Sequence, residues 1–515
     1  MSTIPFMLSA LSGLLLALAF APFEAGDAGW GALVPLLVGC AYAKPRQAWR
    51  LGWLAGIVFW LITVFWLTRV TYLGWFALSL YCALYFIPAS LLATVWLRRF
   101  GTGHFGWNLL FMLLLSAVWV GAEYIRSIWY TGFPWNPLGA TQYANLAFIQ
   151  HATWGGVYGI SALMMFTNAA IAVTILRYLQ GHARLGRKPH PELMAAMAAV
   201  VIAFVTGNRM LHHEATDGPV LRLALIQPSI PQDEKWDEEK VEMIYRRLRE
   251  LTTMAVQVTQ PDLVVWPETA LPYDVRHSEN CYQLVQELAA LGAPILAGSM
   301  DSLLFADRRP VYYNSSFLFD TNGIIMEGYD KRHLVLFGEY VPAHEHIRFI
   351  TAMTPIAESF SSGSTSTVFR LLGDQYPFAS LICFEDTMAY LARDAVRNGA
   401  RLLINQTNDA WFDPLWGSRQ HMALSVFRAV ENRVSLVRAA NTGISCAIDS
   451  HGRISERLVD AEGRHDGPGF QLAQVRAAAS PGPTTFYGRF GDVFAWIMLV
   501  MGLPAWIWAW RANAR

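Results

Sequence analysis

Three short stretches in the second half of the chain place reactive side chains where apolar runs end. Val264-Val265-Trp266-Pro267-Glu268 closes one run with a carboxylate, and Ile382-Cys383-Phe384-Glu385-Asp386 closes another with a thiol flanked by acids. Gly328-Tyr329-Asp330-Lys331-Arg332-His333 follows a run that reads as a hairpin and carries an ammonium. A thiol with an ordinary pKa of ~8.5 needs a base or a nearby cation to react at neutral pH. A carboxylate takes up such a proton, and an ammonium lowers the thiol pKa and then stabilises the oxyanion of a tetrahedral intermediate. Glu268, Lys331 and Cys383 supply a base, an electrophile and a nucleophile. Each alone has a plainer reading, as a solvated carboxylate, a surface lysine or a packed cysteine. Their three contexts together favour nucleophilic catalysis through sulfur.

The elements that must position them read as strands alternating with helices. Short apolar runs at 221–227, 263–266, 294–299, 316–319, 324–327, 378–383, 402–405, 436–439 and 446–449 are strand candidates. Between several of them lie helical stretches, such as 238–258 and 418–434, where Met422, Val426, Phe427 and Val430 recur at helical spacing. Such alternation argues for a layered α/β domain, whose strand ends hold reacting groups rigidly.

The rest of the chain has a different character. Of its 515 residues 54% are hydrophobic and only 15% charged, against about 25% charged in a soluble domain. Apolar runs cluster at 5–21, 30–43, 51–68, 73–97, 107–125, 157–176, 193–206 and 493–510, each a candidate crossing of ~30 Å of hydrocarbon. The first is expected to be a retained helix rather than a cleaved signal, because residues 1–6 lack Lys and Arg and Pro22 follows directly. These runs predict a transmembrane domain at 1–207, an α/β domain at 208–492, and a final helix with its tail at 493–515. Lys44, Arg46 and Arg50, then Arg98 and Arg99, then Arg177, Arg184, Arg187 and Lys188 occupy alternate loops, and Arg511 and Arg515 follow the last run. Basic loops stay cytoplasmic, so both termini are expected inside and the 208–492 domain outside the cytoplasm.

Near the outer end of the fifth run, Trp129, Tyr130, Phe133 and Trp135 suit an interfacial aromatic platform. Glu123 and Arg126 are expected to pair at i, i+3, since lone charges there are costly in lipid. Cys40 and Cys82 lie in apolar runs and Cys281, Cys383 and Cys446 in the α/β part. That odd number does not suit a disulfide framework. The 39 basic and 39 acidic residues form no basic stripe, so nucleic acid is not expected as a partner. The histidines lack ligand spacing, and neither a metal nor a cofactor is expected.

The order WPE, DK and Cys-aromatic-Glu resembles the nitrilase or carbon–nitrogen hydrolase superfamily, which implies an αββα sandwich with a Glu–Lys–Cys triad. Further stretches are similar to the apolipoprotein N-acyltransferases: Tyr329-Asp330-Lys331-Arg332-His333-Leu334-Val335 running into Phe337-Gly338-Glu339-Tyr340-Val341-Pro342, then Thr407-Asn408-Asp409-Ala410-Trp411-Phe412 and Ala440-Asn441-Thr442-Gly443. So are Leu18-Ala19-Phe20-Ala21-Pro22-Phe23, Gly132-Phe133-Pro134-Trp135-Asn136-Pro137-Leu138-Gly139 and Tyr487-Gly488-Arg489-Phe490-Gly491-Asp492. The resemblance implies that an acyl chain passes from a phospholipid to Cys383 as a thioester. It then passes to the α-amino group of a diacylglyceryl-cysteine that begins an apolipoprotein. It implies Glu268 as base, Lys331 and the Phe384 N–H as oxyanion donors, and Glu339 and Glu385 as supporting acids. Trp236 and Trp411 would meet substrate. The chain departs from the pattern at Phe384, where Tyr is frequent, and at Asp413-Pro414-Leu415-Trp416, where a Gly is common. The implied location is a bacterial inner membrane with the catalytic domain periplasmic, and one chain holds every part needed, so a monomer is expected to function. Two other readings exist. A membrane-tethered amidase would need the same triad but not eight apolar runs, and a transporter would need more ionisable residues within them.

Overall fold

The computed structural model describes residues 3–181, 190–213, 218–303, 310–340, 359–371, 376–412, 416–459 and 464–514. Arg184, Arg187, Lys188, Val341-Pro342 and the departure at Asp413-Pro414-Leu415 lie outside the described residues. The chain divides into two compact units, Met1–Glu214 with Phe490–Arg515, and Ala215–Arg489.

The first unit is helical. Among the described residues five helices are long and apolar enough to cross a membrane: Tyr72–Phe100, Phe105–Ile128, Ala152–Leu179, Pro191–His212 and Val493–Asn513. The other three expected spans are shorter, forming helices Ile4–Leu18, Val34–Tyr42 and Ala48–Thr63 of 15, 9 and 16 residues. The run at 30–43 is therefore corrected: a 3₁₀ turn takes Gly26–Trp30, and the helix starts only beside Pro35. At a rise of about 1.5 Å per residue, that helix reaches about 14 Å. Leu36, Leu37 and Cys40 are at most 1% exposed, so its apolar face is spent on neighbouring helices. The run at 73–97 forms two helices, Tyr72–Ala83 and Ile87–Phe100, joined by a 3₁₀ turn that ends just before Pro88.

Glu123 and Arg126 serve the loop that follows their helix. Glu123 accepts from the Trp119 indole N–H at 2.8 Å and the Leu138 N–H at 2.7 Å. Arg126 donates to the carbonyls of Phe133 and Trp135 and lies over the Trp60 ring. Direct pairing is replaced by caps on a loop whose own amide groups need partners away from water. The aromatic quartet divides accordingly: Trp129 and Tyr130 are exposed, whereas Trp135 is fully buried core.

The second unit contains two six-stranded sheets. The first has the order β12-β1-β2-β3-β4-β5, with β1 Val220–Gln227, β2 Leu263–Val265, β3 Ile295–Leu303, β4 Val311–Phe319, β5 Ile325–Asp330 and β12 Gly469–Arg476. The second has the order β11-β10-β9-β8-β7-β6, with β6 Phe369–Leu371, β7 Tyr376–Ile382, β8 Leu402–Thr407, β9 Ser435–Ala440, β10 Cys446–Ile448 and β11 Ile454–Ser455. In each sheet a parallel trio, β1-β2-β3 or β7-β8-β9, is flanked by antiparallel strands. Parallel trios need both faces covered. Leu223, Leu225, Val265, Ile382, Ile404 and Val437 pack between the sheets. Ala224, Ile226, Val264 and Trp266 point the other way, onto helices Val241–Thr259 and Glu279–Ala289. Helices Ala389–Arg397 and Trp416–Asn432 pack beside the second sheet. This is the expected αββα sandwich. All five cysteines are free and buried.

Candidate active site

Glu268, Lys331 and Cys383 come together where β2, β5 and β7 end. After β2 the chain turns sharply at Thr269, whose φ is +42°. Gly298 on the neighbouring β3 makes room, because a Cβ there would lie 2.2 Å from the Pro267 carbonyl oxygen. Glu268 is held at both oxygens: Oε1 accepts from Asn314 Nδ2 at 2.7 Å and Lys331 Nζ at 3.3 Å, and Oε2 from the Asn408 N–H at 3.0 Å.

Lys331 follows β5, with its N–H on the Asn314 carbonyl at 2.8 Å. Its Nζ is buried and pairs with Glu339 Oε1 at 2.8 Å as well as with Glu268. Burial works against this ammonium, but Glu339 and Glu268 outweigh it and hold the pKa above the usual lysine range. Glu339 accepts also from Asn314 Nδ2 at 3.0 Å and from the Val335 N–H at 2.9 Å. Asn314 therefore bridges the two glutamates.

Cys383 opens the 3₁₀ turn Cys383–Thr387 with φ +50°, a left-handed conformation uncommon outside glycine. Its carbonyl accepts from Asn405 Nδ2 at 3.0 Å. Burial raises the thiol pKa well above its usual value, Glu268 adds to that rise, and Lys331 opposes it. A thiol held in this way depends on a neighbouring proton acceptor to react. Glu385, fully buried, accepts from the N–H groups of Ile382, Arg332 and His333 and from the Tyr329 hydroxyl. It ties the Lys331 segment to the Cys383 turn. Phe384 stacks on His333 at 6.1 Å between ring centroids. Trp236 is 48% exposed and Trp411 half-buried.

The structure adds residues to which the sequence reading gave no role. Asn408 donates from Nδ2 to Gln232 at 2.7 Å, and Asn441 exchanges bonds with both main-chain groups of Ile230. The TND and ANT stretches therefore dock the 228–232 segment beside Glu268. Gln406 on β8 accepts from Ser316 and Ser380 and donates to the Trp266 carbonyl, which cross-links the sheets beneath the site. Next to the Cys383 turn, His421 lies between Asp386 at 2.6 Å and Asp409 at 3.0 Å, and Arg438 reaches both acids. Asp386 and Asp409 lie within the stretches singled out in the sequence, whereas His421 and Arg438 sit among the apolar positions of a helix and a strand and left no local signal. Among the described residues no three or more His, Cys, Asp or Glu side chains group as metal ligands would.

A carboxylate, an ammonium and a thiol at the strand ends of paired sheets, with a second glutamate on the ammonium, mark a nitrilase-like domain. Residues 222–464 match the carbon-nitrogen hydrolase family model, and residues 12–170 match that of the apolipoprotein N-acyltransferase N-terminal domain. The apolipoprotein N-acyltransferase of Geobacter metallireducens is 37% identical over 95% of this chain and 92% of its own length. That of Allorhizobium ampelinum is 31% identical over 89% of this chain and 88% of its own. Among solved structures, Saccharomyces cerevisiae Nit3, a member of branch 10 of the nitrilase superfamily, is similar over 50% of this chain and 90% of its own, with a TM-score of 0.37 and 20% identity. The chain belongs to the apolipoprotein N-acyltransferase family, and it is an acyltransferase of lipoprotein biosynthesis.

Proposed function

We propose that Cys383 carries the acyl group as a thioester between a phospholipid and the α-amino group of an N-terminal diacylglyceryl-cysteine. As Sγ attacks the ester carbonyl carbon, its proton passes to the Glu268 carboxylate. The oxyanion is met by Lys331 Nζ and the N–H of Phe384. The ester C–O bond then breaks, and the leaving lysophospholipid oxygen takes the proton from Glu268. In the second half the lipoprotein amine attacks the thioester and gives its proton to Glu268. The C–S bond breaks, the proton returns to sulfur, and an amide remains.

The observation that carries this reading is the fixation of Glu268 and Lys331. Both oxygens of Glu268 are hydrogen-bonded, and Lys331 is buried as a cation between two glutamates. Such groups need no rearrangement when charge develops at the acyl carbon. Glu339 and Glu385 act as positioning residues, while Trp236 and Trp411 are proposed to meet the substrates. The proposed setting is a bacterial inner membrane, with both termini cytoplasmic, the catalytic domain periplasmic and a monomer sufficient.

The test is intact mass spectrometry of the detergent-solubilised enzyme mixed with phospholipid alone, beside Cys383→Ala. The expected result is an adduct of one fatty-acyl mass in wild type only, discharged by a diacylated lipopeptide amine. No adduct, or one that water discharges as fast as the amine does, would instead indicate a hydrolase.

A further inference from the structure

Lys235 stands beside Trp236 in the loop between β1 and helix Val241–Thr259. The two neighbours part company: Trp236 is 48% exposed, whereas Lys235 is only 4% exposed. Lysine is almost never buried without a partner, because desolvating an ammonium is costly. Here Nζ donates to the main-chain carbonyl of Glu268 at 3.0 Å, and it lies 6.0 Å from the centroid of the Trp236 ring. A carbonyl oxygen answers one N–H; it does not answer a charge.

The charges around it explain the burial. Among the described residues Glu268 and Glu339 are both paired with one cation, Lys331, which leaves one excess negative charge among them. Asp386 and Asp409 are matched by Arg438 and His421. Glu385 is satisfied by main-chain N–H groups and Tyr329. Lys235 supplies the missing positive charge. When the thiol proton moves to Glu268, the negative charge shifts from carboxylate to sulfur or acyl oxygen, and the sum stays balanced.

We propose that Lys235 is a second cation of the acyl-transfer site, a positioning residue that holds the Glu268 turn and lowers the cost of negative charge on Cys383 and the acyl oxygen. The inference rests on Cys383 being the nucleophile. The groups that act on Lys235 electrostatically are Glu268 and Cys383, and its own loop adds Asp233, Glu234 and Asp237. Burial pulls its pKa down to about 8, with Glu268 and Cys383 pulling the other way, so it is largely cationic at neutral pH.

The test measures Cys383 alkylation by iodoacetamide against pH in the full-length enzyme, followed by intact mass with Cys383→Ala as the site control. Lys235→Gln keeps a donor for the Glu268 carbonyl but removes the charge. Loss of one neighbouring cation moves a thiol by about one to three pKa units. The expected result is an alkylation rate at pH 7 lowered about 10-fold or more, with its alkaline inflection moved up by at least one unit. Lys235→Arg is expected to restore most of the rate. If Lys235→Gln alkylates with the wild-type rate and profile, Lys235 is only a loop anchor and the proposal is overturned. Should Lys235→Gln fail to fold, Lys235→Arg decides: a rate or inflection as far from wild type as expected for the uncharged variant overturns it. Alkylation needs no phospholipid, so shifts as expected without any acyl adduct would fault the proposed donor and leave Lys235 in place.

Discussion

Glu385 touches neither the thiol nor the ammonium, yet its two oxygens take four donors from both of their segments. Replacing it by Gln turns one of those acceptors into an NH2 group facing N–H groups. Charged hydrogen bonds contribute about 1.5–3 kcal/mol each, so Glu385→Gln is expected to cut the rate of acyl-adduct formation at least 100-fold and to lower the unfolding temperature by several degrees. Stopped time points of the mass-shift reaction measure the first, and a thermal melt the second. An adduct rate within threefold of wild type would remove Glu385 from the positioning set. At this scale the sequence pointed to Glu268, Lys331, Cys383, Glu339 and Glu385 because each sits in a distinctive local string. Asn314 and Lys235 left no such mark. A lone Asn inside the β4 run Val311–Phe319, or a Lys in an acidic loop, says nothing local about which group faces it from another strand.

At the scale of elements, four are pinned together by the buried group Asp386, His421, Asp409 and Arg438: the 3₁₀ turn Cys383–Thr387, the segment after β8, helix Trp416–Asn432 and strand β9. Burial works against the imidazolium, but Asp386 and Asp409 raise the His421 pKa from 6.5 to about 9. A raised folded-state pKa gives stability that is complete below about 6.5 and lost as pH rises through about 9. Wild type is therefore expected to lose unfolding temperature between pH 6.5 and 9. Lys235 acts oppositely at higher pH, since its lowered pKa adds stability between about 8 and 10.5. The measurement is thus the difference between wild type and His421→Gln, whose melting temperatures should converge as pH goes from 6 to 9. A gap that stays constant would mean that His421 is not an imidazolium in the fold. Nine strands were readable from apolar runs, whereas β6, β11 and β12 were not. The first two are three and two residues long, and β12 is a mostly half-exposed edge with Gln471, Gln474 and Arg476. Edge strands lack the continuous apolar pattern that marks strands buried on both faces. The helix at 418–434 was readable by its apolar positions, which hid His421 and Ser425 on the same buried surface.

For the whole molecule, apolar runs marked where helices form but not how far each reaches. Helices Ile4–Leu18, Val34–Tyr42 and Ala48–Thr63 are shorter than a usual crossing, because prolines and tight turns cut runs that hydropathy alone joins. Charge is independent of those lengths. Lys44, Arg46 and Arg50 follow the second helix, Arg98 and Arg99 end the helical run Tyr72–Phe100, and Arg177 ends helix Ala152–Leu179. Each is an even-numbered run, so with every run crossing these residues share one side, which in the proposed orientation is the cytoplasmic one. Two introduced cysteines test this on a quiet background, since all five native cysteines are buried. Gly103→Cys lies in the loop after Arg98 and Arg99, where an added Cβ meets nothing within 4 Å. Val258→Cys replaces a side chain that is 72% exposed in the catalytic unit. In intact spheroplasts a membrane-impermeant maleimide is expected to label Val258→Cys, and to label Gly103→Cys only after lysis. The opposite pattern would put the thiol chemistry in the cytoplasm and overturn the orientation. Labelling of both without lysis would mean that the number of crossings between them is even, and that one of the helices Phe105–Ile128, Ala152–Leu179 and Pro191–His212 does not cross.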